Sequence, residues 1–334
     1  MTTIEAVNFS GTTTTFATAH LIKEIGRGVK GARSLSQNDA RDLFAAILAG
    51  SVSDLELGAI LLAMRIKGES VAEIAGFIEA AEASFELVQA PVCEYAPIVI
   101  PSYNGARRVA NLTPLLAILL ARAGAPVLVH GVQLDAGRVT SAEIFEALGI
   151  VTSLTLQAAQ HNLERGIVQG VPVFMPIETL APRLSQLLAL RQRLGVRNST
   201  HTLVKIMQPF AQPALRLTSY THPEYLIMLS EYFSMSAQVQ RGAVFLMRGS
   251  EGETVASCKK VQQIDCFHQG QKTTLVEAQP GTDLVMTIPL DAKGTALWIQ
   301  EVLAGRIAVP ENIAQQVSLC LASAKHLKKI AATN

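Results

Sequence analysis

Two prolines, Pro91 and Pro97, separate a purely helical pattern from one in which short buried strands alternate with helices. Before them, four apolar-periodic segments are divided by tight polar turns, and residues such as Ser36 and Ser70 stand at helix-capping positions. After them, apolar runs such as residues 126–130 are each followed by a helical segment. This alternation implies a parallel sheet covered by helices.

The pattern predicts an α + α/β protein with two domains of unequal size. A small helical domain is expected over residues 20–90, joined by part of residues 183–212. A larger α/β domain with a mainly parallel central sheet is expected over residues 91–334. Residues 1–19 are rich in threonine and lack apolar periodicity, which predicts a flexible tail. Further strands are predicted at Val171–Met175, Leu215–Thr218, Ala243–Met247 and Asp283–Ile288.

Amino-acid composition and residue spacing exclude several classes of protein for this chain. No apolar stretch reaches the roughly 18–20 residues of a membrane span, and the N-terminus has no secretory pattern. The four cysteines are far apart and the histidines lack metal-ligand spacing, so we expect a soluble, cytoplasmic protein with free thiols. Apolar residues make up 49% of the chain and charged residues 16%, which fits either a large core or a subunit interface. Leu55, Ile60, Leu61 and Met64 exceed what one small bundle can cover, which favours a homodimer.

Charge is unevenly distributed along a chain whose net charge is only +1. Residues 68–98 hold six acidic side chains and no lysine or arginine, whereas residues 183–260 hold ten bases and four acids. Such asymmetry fits a surface that faces a polyanion, and a solvated face would give the same count.

The segment from Leu21 to Glu82, which includes ILAGSVSDLELGAILLAMRIKGESVAEIAGF, resembles the N-terminal helical domain of anthranilate phosphoribosyltransferases. Further matches continue to about Lys205. The resemblance implies the nucleoside phosphorylase/phosphoribosyltransferase fold of glycosyltransferase family 3. In that family a GTGGD loop and a following NxST motif hold the phosphates of phosphoribosyl pyrophosphate.

The phosphate-binding motifs are altered in this chain. The first loop reads PSYNG over residues 101–105, where Pro101 removes a backbone donor and Tyr103 adds bulk. The NxST motif becomes NLTP, and the family's KHGNR becomes VHGVQ over residues 129–133, without its lysine, asparagine and arginine. A residual family pocket is predicted from the polar and glycine residues that remain: Ser102, Asn104, Gly105, Asn111, Thr113, His130, Gly131 and Ser141.

The pair of acids that binds magnesium in the family is also replaced. The family reads VHGxxGxDE at the end of a late strand, and the same register here places Thr254 and Val255 at the acids' positions. Valine offers no oxygen ligand to magnesium. Glu251 and Glu253 lie nearby and would compensate only if the loop shifted. We therefore assign no catalytic residue, metal or cofactor; Mg²⁺ is expected only for the transferase alternative described below.

Within the family, the segments PSYNGAR, ANLTPLLAILL, VRNSxHTL and THPEY resemble the divergent YbiB-like group. That resemblance implies a dimer that binds DNA or RNA without sequence preference, through phosphates and along a basic groove. The alternatives are an anthranilate phosphoribosyltransferase or related glycosyltransferase with an altered donor or acceptor, and a protein that binds a small anion. Single surface lysines and arginines are most often simply solvated, and that alternative applies to each candidate phosphate contact. The candidates are Lys23, Arg27, Lys30, Arg33, Arg107, Arg108, Arg191, Arg193, Arg197 and Lys205.

Overall fold

The computed structural model describes residues 16–28, 30–235, 240–281 and 287–333. These residues divide into two compact units. The helical unit contains the described residues up to Ser84 together with Gln186–Leu203, and the sheet unit contains Phe85–Ser185 and the described residues from Val204 onward. Most of the predicted tail, and most of the strand predicted at Asp283–Ile288, lies outside the described residues.

Helices and strands follow one another along the described chain. The helices are α1 (Ala19–Ile25), α2 (Gln37–Ala49), α3 (Asp54–Lys67), α4 (Val71–Glu82), α5 (Thr113–Arg122), α6 (Ser141–Ala147), α7 (Leu156–Gln169), α8 (Ile177–Leu180), α9 (Pro182–Leu194), α10 (Thr200–Leu203), α11 (Pro223–Phe233), α12 (Ala292–Leu303) and α13 (Glu311–Thr333). The strands are β1 (Ile98–Ser102), β2 (Val127–Gly131), β3 (Val173–Pro176), β4 (Ala214–Tyr220), β5 (Gly242–Arg248), β6 (Ile264–His268) and β7 (Gln271–Val276).

Serine caps start three helices of the helical unit. The sequence predicts Ser36 and Ser70 as caps, and it leaves Ser53 and Asp54 as alternatives for the helix between them. The Ser36 hydroxyl accepts a hydrogen bond from the backbone N–H of Asp39 at the start of α2. Ser53 before α3 and Ser70 before α4 each form a reciprocal capping box with a glutamate three residues later. These contacts satisfy N–H groups that the first helical turn leaves without partners. Helix α2 packs on α4, and α1 packs on α3.

Helix α3 corrects one expectation about the apolar residues of this unit. Ile60, Leu61 and Met64 are 2%, 3% and 1% exposed, because they face the interior of the helical unit itself. These three residues therefore need no second subunit to cover them, and that expectation was wrong. Leu55 is different, since 85% of it is exposed.

The sheet unit is built on seven strands in the order β3-β2-β1-β4-β5-β6-β7. The pairs from β3 to β5 are parallel, which confirms the mainly parallel sheet, and β6 and β7 are antiparallel. Strands β1 and β2 are buried along their whole length, as parallel strands covered on both faces are. The hairpin of β6 and β7 was not predicted from the sequence.

The sheet places several loops at one edge. One face of the sheet packs against α5, α6, α12 and α13 in a continuous apolar core. Because β1, β2, β4 and β5 are parallel, their carboxyl ends and the loops that follow them lie on the same edge of the sheet. In open α/β sheets, ligands bind at this edge.

Candidate functional site

The loop between β1 and α5 encloses a carboxylate from the same chain. Glu253, in the loop after β5, is only 1% exposed. Its Oε1 accepts hydrogen bonds from the backbone N–H groups of Asn104 (2.9 Å) and Gly105 (2.8 Å). Its Oε2 accepts from the Thr113 hydroxyl at 3.3 Å. Backbone N–H groups of a turn between a strand and a helix are donors that proteins use to bind phosphate. Here those donors are satisfied by Glu253.

A second glutamate closes the outer part of the same loop. Glu251 accepts hydrogen bonds from the backbone N–H of Arg107 at 2.6 Å and from that of Arg108 at 3.2 and 3.3 Å. The guanidinium of Arg138 lies 3.8 Å from the Glu251 carboxylate and also donates to the carbonyl of Gly105. The carboxylates of Glu251 and Glu253 therefore both accept hydrogen bonds from backbone N–H groups of this loop.

Gly252 lies between the two glutamates and packs closely against the side chain of Asn104. Its φ of 96° lies in the left-handed region that favours glycine, and a side chain there would collide with the Asn104 amide. Its carbonyl accepts hydrogen bonds from the Asn104 amide (2.9 Å) and the Ser219 hydroxyl (3.0 Å). The Lys205 ammonium is 3.5 Å from the same carbonyl. The side chain of Asn104 is thus packed directly against the backbone of Gly252.

Four other residues of the predicted pocket form one buried hydrogen-bonded network. Ser102 and Ser141 hydroxyls are 2.8 Å apart. The Asn111 amide donates to Ser141 at 3.1 Å, and its oxygen accepts from the Thr113 backbone N–H at 3.2 Å, which caps the start of α5. The network fixes the loop and the start of α5, and its polar groups form hydrogen bonds with one another.

The half-buried Tyr103 and the buried His130 form a further pair. The Tyr103 hydroxyl is 2.6 Å from His130 Nδ1, and the two rings meet edge to face. Burial lowers the pKa of His130 to about 3 and, with Glu178 nearby, raises the pKa of Tyr103 well above its usual value. His130 is therefore neutral near pH 7. The adjacent Gly131 allows close packing, because any side chain there would collide with the Ser102 carbonyl.

The residues present do not fit a magnesium ion. Thr254 and Val255 are both buried, and the valine has no oxygen to offer. In this structure the carboxylates of Glu251 and Glu253 accept hydrogen bonds from the loop, so the two glutamates do not form an open pair of acids at the missing positions. Within the described ranges, no three acidic, histidine or cysteine side chains converge as a metal site would require.

The candidate phosphate contacts of the helical unit form two groups by position. Lys23, Arg27, Lys30 and Arg33 are exposed around the end of α1. Glu24 partly neutralises this group, since it lies 2.5 Å from Arg27 and 3.9 Å from Arg33.

The second group lies at the end of α9. Arg191 and Arg193 are exposed in its last turn, whereas Arg197 is half-buried.

In the sheet unit, Arg107 and Arg108 are exposed, and Lys205 is half-buried beside Gly252. Sequence reasoning missed Arg138, whose role depends on the position of Glu251. It also did not single out Arg248, Lys259 and Lys260, although all three contribute to the basic stretch 183–260. The signal that could have identified them is their position along the chain, since Arg248 lies within the altered metal motif and Lys259 and Lys260 follow it by four and five residues.

Comparison with known proteins agrees with this architecture. Residues 19–84 match the helical bundle domain of a glycosyl transferase family. The chain is 31% identical over 197 residues to the anthranilate phosphoribosyltransferase of Persephonella marina, a match that covers 58% of this chain and 55% of that enzyme. The structure of the Thermus thermophilus anthranilate phosphoribosyltransferase superposes with a TM-score of 0.67 at 21% identity, over 92% of this chain and 88% of the other. These matches define an anthranilate phosphoribosyltransferase-like fold of glycosyl transferase family 3.

A match that covers more of the chain shows the family to which the protein belongs. The chain is 46% identical over 304 residues to the YbiB protein of Escherichia coli, which covers 90% of this chain and 92% of YbiB. It therefore belongs to the YbiB family of proteins with this fold. No helix among the described residues is long and apolar enough to cross a membrane.

Proposed function

We propose that this protein is a non-catalytic homodimer that binds single-stranded nucleic acid, DNA or RNA, through its phosphates and without sequence preference. The observation that supports the loss of catalysis is the position of Glu253. A phosphoribosyl transfer needs a pyrophosphate leaving group whose charge is neutralised as it departs. In this chain, the loop donors that would neutralise it are hydrogen-bonded to an internal carboxylate.

The exposed bases support the binding part of the proposal. Arg191 and Arg193 in the helical unit and Arg107 and Arg108 in the sheet unit all present exposed side chains. Phosphate contacts from such residues carry affinity but no sequence information. Aromatic residues make up 5% of the chain and do not alternate with these arginines. A set of aromatic side chains that would stack on and distinguish nucleobases is therefore not expected.

The alternative is a phosphoribosyltransferase with an altered donor or acceptor. One experiment separates the two: binding of a fluorescent single-stranded oligonucleotide, measured beside anthranilate turnover with Mg²⁺ and phosphoribosyl pyrophosphate. We expect saturable oligonucleotide binding and no turnover. Turnover at an enzymatic rate, or no oligonucleotide binding at low salt, would contradict the proposal.

A further inference from the structure

A cavity of about 370 Å³ opens in the sheet unit beside the closed loop. It lies between the segment Arg108–Leu112, the end of β5 and the residues that follow the altered metal motif. Ser102, Asn104, Glu253 and His130 do not line it. The cavity is therefore separate from the pocket in which Glu253 is held.

The rim of the cavity is basic. Arg108, Arg248, Lys259 and Lys260 line it and are all exposed. None of these four side chains is paired with a carboxylate among the residues that the structure describes. The one acid in the lining, Glu251, is held by the loop N–H groups and lies near Arg138. The free positive charge of the rim thus suits an anion.

The wall of the cavity is apolar. Val109, Leu112, Val255, Ile288 and Leu290 line it together with two alanines. Small-molecule sites have this character: a mainly apolar concave surface of roughly 300–1,000 Å³ with a few polar groups. A ligand that matches must combine a flat or compact apolar group with a negative charge.

We propose that this cavity binds one nucleotide unit, with its base against the apolar wall and its phosphate on the basic rim. The nucleotide could be free or part of a single strand, and the second case rests on the proposed function above. Among the described residues, no aromatic side chain lines the cavity. The base would therefore contact aliphatic side chains, which is compatible with any base.

The test uses the full-length protein and two probes, adenosine 5′-monophosphate and a fluorescent oligothymidylate. By calorimetry, we expect the mononucleotide to bind about tenfold more tightly than ribose 5-phosphate, since the base adds contact with the wall. The double variant Lys259→Ala/Lys260→Ala should weaken mononucleotide binding about tenfold. The matched control Lys293→Ala/Lys328→Ala, on α12 and α13, should leave it unchanged.

The outcomes separate this inference from the proposed function. No mononucleotide binding, or equal binding in wild type and the Lys259/Lys260 variant, would overturn the cavity assignment. If the oligonucleotide still binds in that case, the proposed function stands without the cavity. If the mononucleotide binds and responds to the variant while the oligonucleotide does not bind, the cavity holds free nucleotide and the proposed function is wrong.

Discussion

The carboxylate oxygen Oε1 of Glu253 lies 2.8 Å from the backbone nitrogen of Gly105, at the centre of the loop that joins β1 to α5. The same oxygen accepts from the N–H of Asn104, so one internal carboxylate satisfies two adjacent backbone donors. A buried donor without a partner costs about 1–3 kcal/mol, and these donors would be buried without Glu253. The contact therefore stabilises the loop, and it also uses the two backbone donors that a phosphate would otherwise need.

Replacing this carboxylate should both destabilise the protein and free two backbone donors for an added anion. We expect Glu253→Ala to lower the free energy of unfolding by about 2–4 kcal/mol, as measured by urea denaturation. Added inorganic pyrophosphate should raise the Tm of this variant more than that of wild type, because it can accept the released hydrogen bonds. Glu164→Ala, at an exposed position of α7, is the control and should change neither quantity. A variant as stable as wild type would show that Glu253 is not needed by the loop.

Magnesium should not strengthen the binding of phosphoribosyl pyrophosphate. Thr254 and Val255 supply no anionic ligand, and the nearby glutamates are engaged by the loop. Calorimetric titrations with and without Mg²⁺ should therefore give the same weak or undetectable binding. Strong binding that depends on magnesium would mean that Glu251 or Glu253 leaves the loop to hold the metal, and would favour the transferase alternative.

The buried His130 predicts a specific pH dependence of stability. Its folded-state pKa is about 3, below the value of about 6.5 expected in the unfolded chain. Between these pH values the unfolded state binds the proton and the folded state does not. The contribution of neutral His130 to the free energy of unfolding is therefore fully present above about pH 6.5. It falls as the pH drops toward 3, by up to about 1.4 kcal/mol per pH unit.

This effect can be isolated by substitution. Between pH 6.5 and 4.5, wild type should lose about 2 kcal/mol more in free energy of unfolding than His130→Gln, which cannot titrate. His161→Gln, at an exposed position of α7, should behave like wild type. Parallel pH profiles for wild type and His130→Gln would contradict the buried, neutral state of His130.

The homodimer of the proposed function should use the exposed face of α3. Leu55, Leu62 and Ile66 are 85%, 46% and 58% exposed and lie on one stripe of the helix, at spacings of seven and four residues. We expect Leu62→Glu/Ile66→Glu to convert a dimer to a monomer in light scattering, with unchanged circular dichroism. Ile227→Glu, on the exposed side of α11, should remain dimeric. A monomeric wild type at micromolar concentration would count against the proposed dimer.

Much of the fold follows from local signals in the sequence. Ser36, Ser53 and Ser70 identify three helix starts, because a side-chain oxygen followed by an acid is a local signature of a cap. The strands from β1 to β5 follow from continuous apolar runs. The hairpin of β6 and β7 was missed because β7 is exposed and polar over Gln271–Thr274, so its sequence carries no apolar pattern.

The sequence predicts that several polar pocket residues lie close together, but it does not predict their hydrogen-bond partners. That these residues form a ligand-binding pocket stays a prediction. Asn111, Thr113 and Ser141 stand where the motif register places them, and they do lie together. The role of Glu253 could not be predicted, because its partners at Asn104 and Gly105 are about 150 residues away in the chain. Only the parallel pairing of β1, β4 and β5 brings these two loops to the same edge of the sheet.

The most direct test of the central claim is the salt dependence of single-stranded oligonucleotide binding. Contact with about five phosphates predicts that log K falls linearly with log salt, with a slope near −3.5, for oligonucleotides of any sequence. Arg191→Glu/Arg193→Glu should weaken binding to all sequences equally and flatten the slope, whereas the control Arg165→Glu/Lys293→Glu should leave it unchanged. A binding constant that does not depend on salt concentration, or a strong preference for one sequence, would contradict an interface that recognises phosphates.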